Sequence, residues 1–235
     1  PVQEQPLASP TGVTALAPSS LHPGGYIVVA DASASQLMLL SSEGVPLRLL
    51  GGRGSGSLQL LRPRGLACAA RGDAIMITDA GNQRVVTWQV PLPDAEGAEA
   101  FQEARPTLLW RTQAAAEEEG AAAGLASSSP YDAALMGECV LVLDNIGCCV
   151  RAHDAQTGGV RATVGRAGSA DGELDNPHAL TVLSQTSEVV VADSGNHRLV
   201  CFTMASRELA QLSFSRNIGA EGTLPGCFHF PRGVA

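Results

Sequence analysis

The sequence predicts an all-β fold of repeated four-stranded antiparallel units, and three recurring marks predict it. The first is a proline that opens an apolar run, at Pro10, Pro63, Pro130, Pro177 and Pro231. The second is an aspartate that closes the next run, at Asp31, Asp79, Asp144 and Asp193, ending YIVVAD, AIMITD, VLVLD and VVVAD. The third is a glycine-rich turn running into the next proline: GGRGSGSLQLLRP, GRAGSADGELDNP and GAEGTLPGCFHFP. These marks keep one cyclic order, and the prolines are 53, 67, 47 and 54 residues apart. A period of roughly 45–55 residues is that of the blades of a β-propeller.

The expected blades are 10–62, 63–129, 130–176 and 177–230, with 231–235 starting a fifth and 1–9 a linker or remnant strand. Blade one reads as strands at 11–17, 25–31, 35–41 and 46–52. Blade two follows with 64–70, 73–79, 84–90 and 107–113, and blade three with 131–137, 139–145, 148–154 and 159–165. Blade four has 178–184, 188–194, 198–204 and 208–214. Short apolar or alternating runs separated by Gly, Pro and Ser are antiparallel strands joined by tight turns. The chain starts at Pro1 without a methionine and stops at Ala235 within an opening strand. It is therefore read as an arc of a larger ring, expected to have six blades.

Between strands two and three, Asp79-Ala80-Gly81-Asn82-Gln83-Arg84 and Asp193-Ser194-Gly195-Asn196-His197-Arg198 repeat one pattern. Gly81 with Asn82, and Gly195 with Asn196, are expected to supply the positive φ of a tight hairpin. Asp79 with Arg84, and Asp193 with Arg198, flank that hairpin and can pair across it, so a mechanical role is expected. The whole pattern resembles the NHL repeat: a glycine-rich turn, Pro-x-Gly-Val, an apolar run closed by Val-x-Asp, then Ser/Thr-Gly-Asn-x-Arg-Val. The match is closest in VADSGNHRL (191–199) and TDAGNQRV (78–85), with PRGLA, PHALT and PRGVA at the prolines. Blades one and three depart from it, with Gln36 and Cys149 at the arginine position and Ala34 and Gly147 at the asparagine position. The resemblance implies a propeller scaffold that hosts several functions, so function is argued separately from fold.

Composition narrows the chemistry. Net charge is −8, and all 15 basic residues are arginine, which removes Schiff-base lysine chemistry from this segment. Residues 91–129 hold seven acids against Arg105 and Arg111, so this insert carries −5 of the total. A solvated loop is expected there in preference to a short helix. Phosphate binding needs clustered positive charge, so nucleic acid is a disfavoured partner, although an arginine face on the other blades stays open. No run of 18 apolar residues and no signal segment is present. Cys68, Cys139, Cys149 and Cys201 fall in apolar strands, and no CxxC pair, G-x-S-x-G elbow or phosphate-cradling loop occurs. Reduced thiols in an intracellular protein are expected, with a secreted form carrying one or two disulfides as the alternative.

Propeller ligands gather at the channel mouth, where the residue after each anchoring proline starts an inner strand. These residues are Thr11, Arg64, Tyr131, His178 and Arg232, a set able to receive a carboxylate, a phosphate or an acidic peptide. Asp171, Glu173 and Asp175 alternate in SADGELD but lack the spacing of a calcium loop, so a solvated turn is expected. PHAL (177–180) with VVVAD and RLVCF also resembles a segment of the peptidyl-hydroxyglycine lyase propellers, which bind zinc through inner-strand histidines. His178 matches, yet Arg232 stands where the next histidine is expected, and the lyase tyrosine is missing from DAGN and DSGN. His22, His153, His197 and His229 fall elsewhere in the repeat, away from His178. Neither metal nor cofactor is therefore expected. The resulting reading is a non-catalytic scaffold for a protein or peptide partner, ahead of a metal-dependent or lyase-type propeller enzyme and then of RNA binding.

Overall fold

The structure, a computed structural model, describes residues 6–18, 23–68, 74–92, 105–111, 129–204 and 211–235. Its strands group into four antiparallel four-stranded meanders. The first holds β1 (Pro10–Leu16), β2 (Tyr26–Asp31), β3 (Gln36–Ser41) and β4 (Pro46–Gly51). The second holds β5 (Pro63–Cys68), β6 (Ala74–Asp79), β7 (Arg84–Gln89) and β8 (Thr107–Arg111). The third holds β9 (Pro130–Met136), β10 (Cys139–Asp144), β11 (Cys149–Asp154) and β12 (Val160–Val164). The fourth holds β13 (Pro177–Leu183), β14 (Glu188–Asp193), β15 (Arg198–Met204) and β16 (Leu212–Ile218).

Two corrections follow. The last strand of the fourth sheet lies later than 208–214, because its register is set by pairing Leu199 with Ile218 and Met204 with Leu212. Residues 231–235 form no strand, since no segment among the described residues pairs with them. Most of the acidic insert, 93–104 and 112–128, lies outside the described residues, as does His22. Among the described residues, no helix is long and apolar enough to cross a membrane.

The chain divides into two units, Pro1–Arg111 and Thr112–Ala235. Each packs two sheets face to face, so alternate residues of a middle strand enter a core between them. In the first unit, Val28, Leu37, Leu39, Ile75, Ile77, Val86 and the fully buried Trp88 form that core. In the second, Leu141, Leu143, Val150, Val189, Val191, Val200 and Phe202 do so. Two of the three glycine-rich turns contribute a fully buried leucine, Leu60 and Leu174. Each leucine is fixed by a short parallel bridge, Arg53 with Leu60 and Ala167 with Leu174, and Glu221 with Phe228 repeats it in the third turn.

In the second and fourth blades a buried ion pair ties the glycine-rich turn to the hairpin that follows it. In the second blade, Asp79 Oδ1 accepts the Leu61 N–H (2.6 Å), and Oδ2 accepts from Asn82 Nδ2 (2.7 Å) and Arg84 Nε (2.8 Å). The remaining guanidinium donors reach the carbonyls of Ser55 (2.9 Å), Gly56 (2.8 Å) and Gln59 (2.9 Å). The fourth blade repeats the arrangement atom for atom: Asp193 takes Asp175 N–H, Asn196 and Arg198, and Arg198 takes the carbonyls of Ser169, Ala170 and Glu173. The positive φ expected at Gly81–Asn82 and Gly195–Asn196 falls instead one residue on, at Gln83 (53°) and His197 (56°). Ser35 and Cys148 take the same place in the other two blades. The glycines serve close approach. Gly81 donates its N–H to Leu61 O (2.7 Å), and a Cβ there would lie 2.6 Å from that oxygen.

The two departures from the motif are handled differently. In the third blade Arg151, two residues beyond Cys149 and on the same face of β11, bonds Asp144. In the first blade the Asp31 carboxylate has backbone partners, the N–H groups of Ala8 (2.7 Å), Ser9 (3.2 Å) and Ala34 (3.0 Å). Arg84→Leu strands the fully buried Asp79 carboxylate and is expected to cost about 3–5 kcal/mol. Urea unfolding followed by tryptophan fluorescence measures this. Arg166→Ala, which breaks an exposed pair with Glu173, is expected to leave the midpoint where it is.

Candidate functional site

In the second unit the residues after Pro130 and Pro177 meet where β9 runs beside β13. The Tyr131 ring lies edge-on to His178, with centroids 5.0 Å apart. His178 Nδ1 is 2.8 Å from the Asn176 carbonyl. A carbonyl only accepts, so Nδ1 carries the proton and Nε2 is left as an acceptor. Both side chains are partly exposed.

The next residue, Asp132, was not singled out from sequence. It occupies the motif position of Gly12 and Gly65 and bridges the two strands: Oδ2 accepts the Leu180 N–H (3.0 Å) and Oδ1 its neighbour Ala133 N–H (2.9 Å). Burial pushes the carboxyl up to about 6, against the lowering effect of those two N–H groups. In the first unit the equivalent junction is tighter and uncharged. Thr11 Oγ1 donates to Pro63 O (2.9 Å), and a Cβ on Gly12 would overlap the Arg64 carbonyl. Arg64 is partly exposed on β5, and Arg232 is exposed in the segment beyond the last sheet.

Other candidates resolve as follows. Asp171 accepts from Asn217 Nδ2 (2.8 Å) and Glu173 pairs with Arg166, so these two carboxylates are separately engaged, while Asp175 gives its backbone N–H to Asp193. None of the six cysteines is in a disulfide; burial raises the Cys149 thiol to about 11, a range in which it is not a nucleophile. His153 is buried, its ring nitrogen 2.9 Å from Gly158 O. His197 and His229 stand apart from His178 but converge on each other. Together with Glu221 they form a group whose donor atoms all lie within 4.8 Å of one another. Aligning the three glycine-rich turns on their closing prolines was the signal that could have found it.

Repeated four-stranded meanders joined in this way define a β-propeller chain. Residues 174–202 match the family model of the NHL repeat, so this is a β-propeller chain carrying an NHL repeat. It is similar in fold to a catalytically inactive virginiamycin B lyase from Staphylococcus aureus with quinupristin (TM-score 0.57, 13% identity, 90% of this chain and 56% of that one). It is likewise similar to a functionally unknown protein from Desulfotomaculum acetoxidans (TM-score 0.59, 14% identity, 94% and 59%). A third such structure is hydrazine synthase of Kuenenia stuttgartiensis (TM-score 0.56, 10% identity, 96% and 51%). The chain thus spans little more than half the length of these structures, and the likeness is one of fold. A search of curated proteins returned no match.

The raised Asp132 carboxyl has a pH signature. The folded chain binds a proton that the unfolded chain releases between pH 3.8 and about 6. This group's contribution to stability is therefore complete below pH 3.8 and lost as pH rises through about 6. Asp132→Asn is expected to flatten that component of the stability profile, measured as urea midpoints by circular dichroism across the same range.

Proposed function

We propose that the chain is a non-catalytic interaction scaffold whose strand starts after the prolines contact a protein or peptide partner. The observation that carries this reading is which chemical groups stand at the post-proline positions. The Asp79–Arg84 and Asp193–Arg198 pairs are engaged with each other and with the backbone of the preceding turn, so they are structural. The post-proline positions, outside that motif, carry the edge-on Tyr131–His178 pair and, at partly or fully exposed places, the arginines Arg64 and Arg232. Aromatic edges, an imidazole acceptor and guanidinium forks are groups that recognise peptide amides and carboxylates.

One observation favours a second reading, a propeller lyase. An imidazole with Nδ1–H anchored on a carbonyl, as in His178, is oriented as a general base or metal ligand is. Two experiments separate the readings. A photo-crosslinking residue at position 131 identifies the partner; with that protein purified, His178→Ala and Arg64→Ala are each expected to weaken binding about tenfold. Unchanged affinity in both variants counts against the scaffold surface. Quinupristin, the ligand of the similar lyase structure, is expected to remain intact when incubated with the chain. Consumption that disappears in His178→Ala would establish the lyase reading instead.

A further inference from the structure

The group His197, Glu221 and His229 stands apart from the post-proline surface and involves no residue of the hairpin ion pair. His197 comes from the β14–β15 hairpin, and Glu221 and His229 come from the turn at 219–231. The framework holding them is the one repeated through the chain. Phe228 N–H donates to Ala220 O (2.9 Å) and Gly222 N–H to Phe228 O (3.2 Å). The matching bonds at Leu60 and Leu174 are 2.8 Å to Gly52 and Arg166, and 3.0 Å from Gly54 and Gly168. The same three positions carry Ser35, Arg53 and Leu61 in the first junction, and Cys148, Ala167 and Asp175 in the next. Only the third of these turns sets two imidazoles and a carboxylate together. Phe230 packs on both rings, 4.2 Å from His197 and 4.8 Å from His229 between centroids. Among the described residues, no arginine pairs with Glu221.

We propose that His197, Glu221 and His229 form a binding site for a divalent transition metal ion of the zinc type. Two neutral nitrogens and one anionic oxygen suit such an ion, and three protein ligands leave a fourth position for water or an incoming donor. Calcium and magnesium are hard ions that take oxygen ligands, and two of the three donors here are imidazole nitrogens. Glu221 and His229 are exposed, so their side chains are free to close from the 4.8 Å spread to bonds of about 2 Å.

His197 brings a specific consequence. Its Nδ1 accepts the Phe230 N–H at 3.2 Å, which places the ring proton on Nε2. Metal capture therefore releases this long hydrogen bond: either Nδ1 takes the ion in place of the amide, or the proton moves to Nδ1 and Nε2 takes it. The Phe230 amide is thus a reporter for occupancy. The Arg62 N–H, which donates to Ser35 Oγ at the same place in the first junction (3.4 Å), is its control.

The test is zinc titration of the chain by calorimetry and by amide NMR. Each ligand is replaced by a residue the chain itself uses at the matching position: His197→Gln as at Gln83, Glu221→Ala as at Ala167, and His229→Leu as at Leu61. The wild type is expected to show one saturable site with Kd below roughly 100 μM, weakened about tenfold or more by each substitution. The Phe230 amide should shift on binding while Arg62 stays in place. Absence of saturable binding, or an intact site in the triple variant, would overturn the assignment. So would a zinc site abolished by His178→Gln, which would place the ion at the Tyr131–His178 pair.

Discussion

The structure depends on a carboxylate that must be buried and fully bonded. Asp79, Asp144 and Asp193 are completely enclosed, and a carboxylate in that position is tolerated only when its oxygens are bonded. The solution in blades two and four fills both oxygens with a turn N–H, the motif asparagine and the motif arginine. Arginine is needed because its planar fork has donors to spare. Once Nε is on the aspartate, the two terminal nitrogens satisfy three carbonyls of a turn that has no ladder of its own. That turn ends at the proline opening the next strand, so one ion pair fixes the hairpin, the turn and the entry of the following strand together.

The same requirement explains why the motif can fail without the blade failing. What must be kept is the satisfaction of the aspartate, and the donor can arrive from elsewhere. Arg151 reaches Asp144 from two residues further along β11, since residues two apart on a strand share a face. Asp31 relies on backbone N–H groups instead, and these hold its carboxyl below the usual range although burial alone would raise it. Asp144 is held low in the same contest: burial raises it, while the N–H groups of Gly147 and Ser129 and the Arg151 side chain lower it.

The fold was legible because the marks that define it act locally. A proline opening a strand, an aspartate closing a hairpin and a glycine-rich turn each report backbone geometry within a few residues, so the period, the four-stranded antiparallel unit and most strand positions could be read. The pairing of Asp79 with Arg84 was open to the same reading, because the two residues face each other across one hairpin. What escaped was everything set by a neighbouring segment. Gly81 looked like a turn glycine, yet its reason is the Leu61 backbone pressed against it. Asp132 was not singled out at all, because its bond to Leu180 belongs to the next blade. His197 and His229 were set aside for lying far from His178, a comparison that could not show them lying near each other.

These cases divide the repeat into two kinds of position. Aspartate, glycine, asparagine and arginine of the motif are consumed by the scaffold, so altering them alters stability before anything else. The residue after the proline and the left-handed residue of the hairpin are held by the same backbone but constrained less in identity. The first is Thr11, Arg64, Tyr131 and His178 in turn, and the second is Ser35, Gln83, Cys148 and His197. Each blade therefore places a different chemical group at a fixed point of the repeat. The Tyr131–His178 pair arises at the first kind of variable position, and the His197–Glu221–His229 group draws one ligand from the second. A repeat that fixes the backbone through buried charge leaves these points as the places where one blade can differ in function from the next.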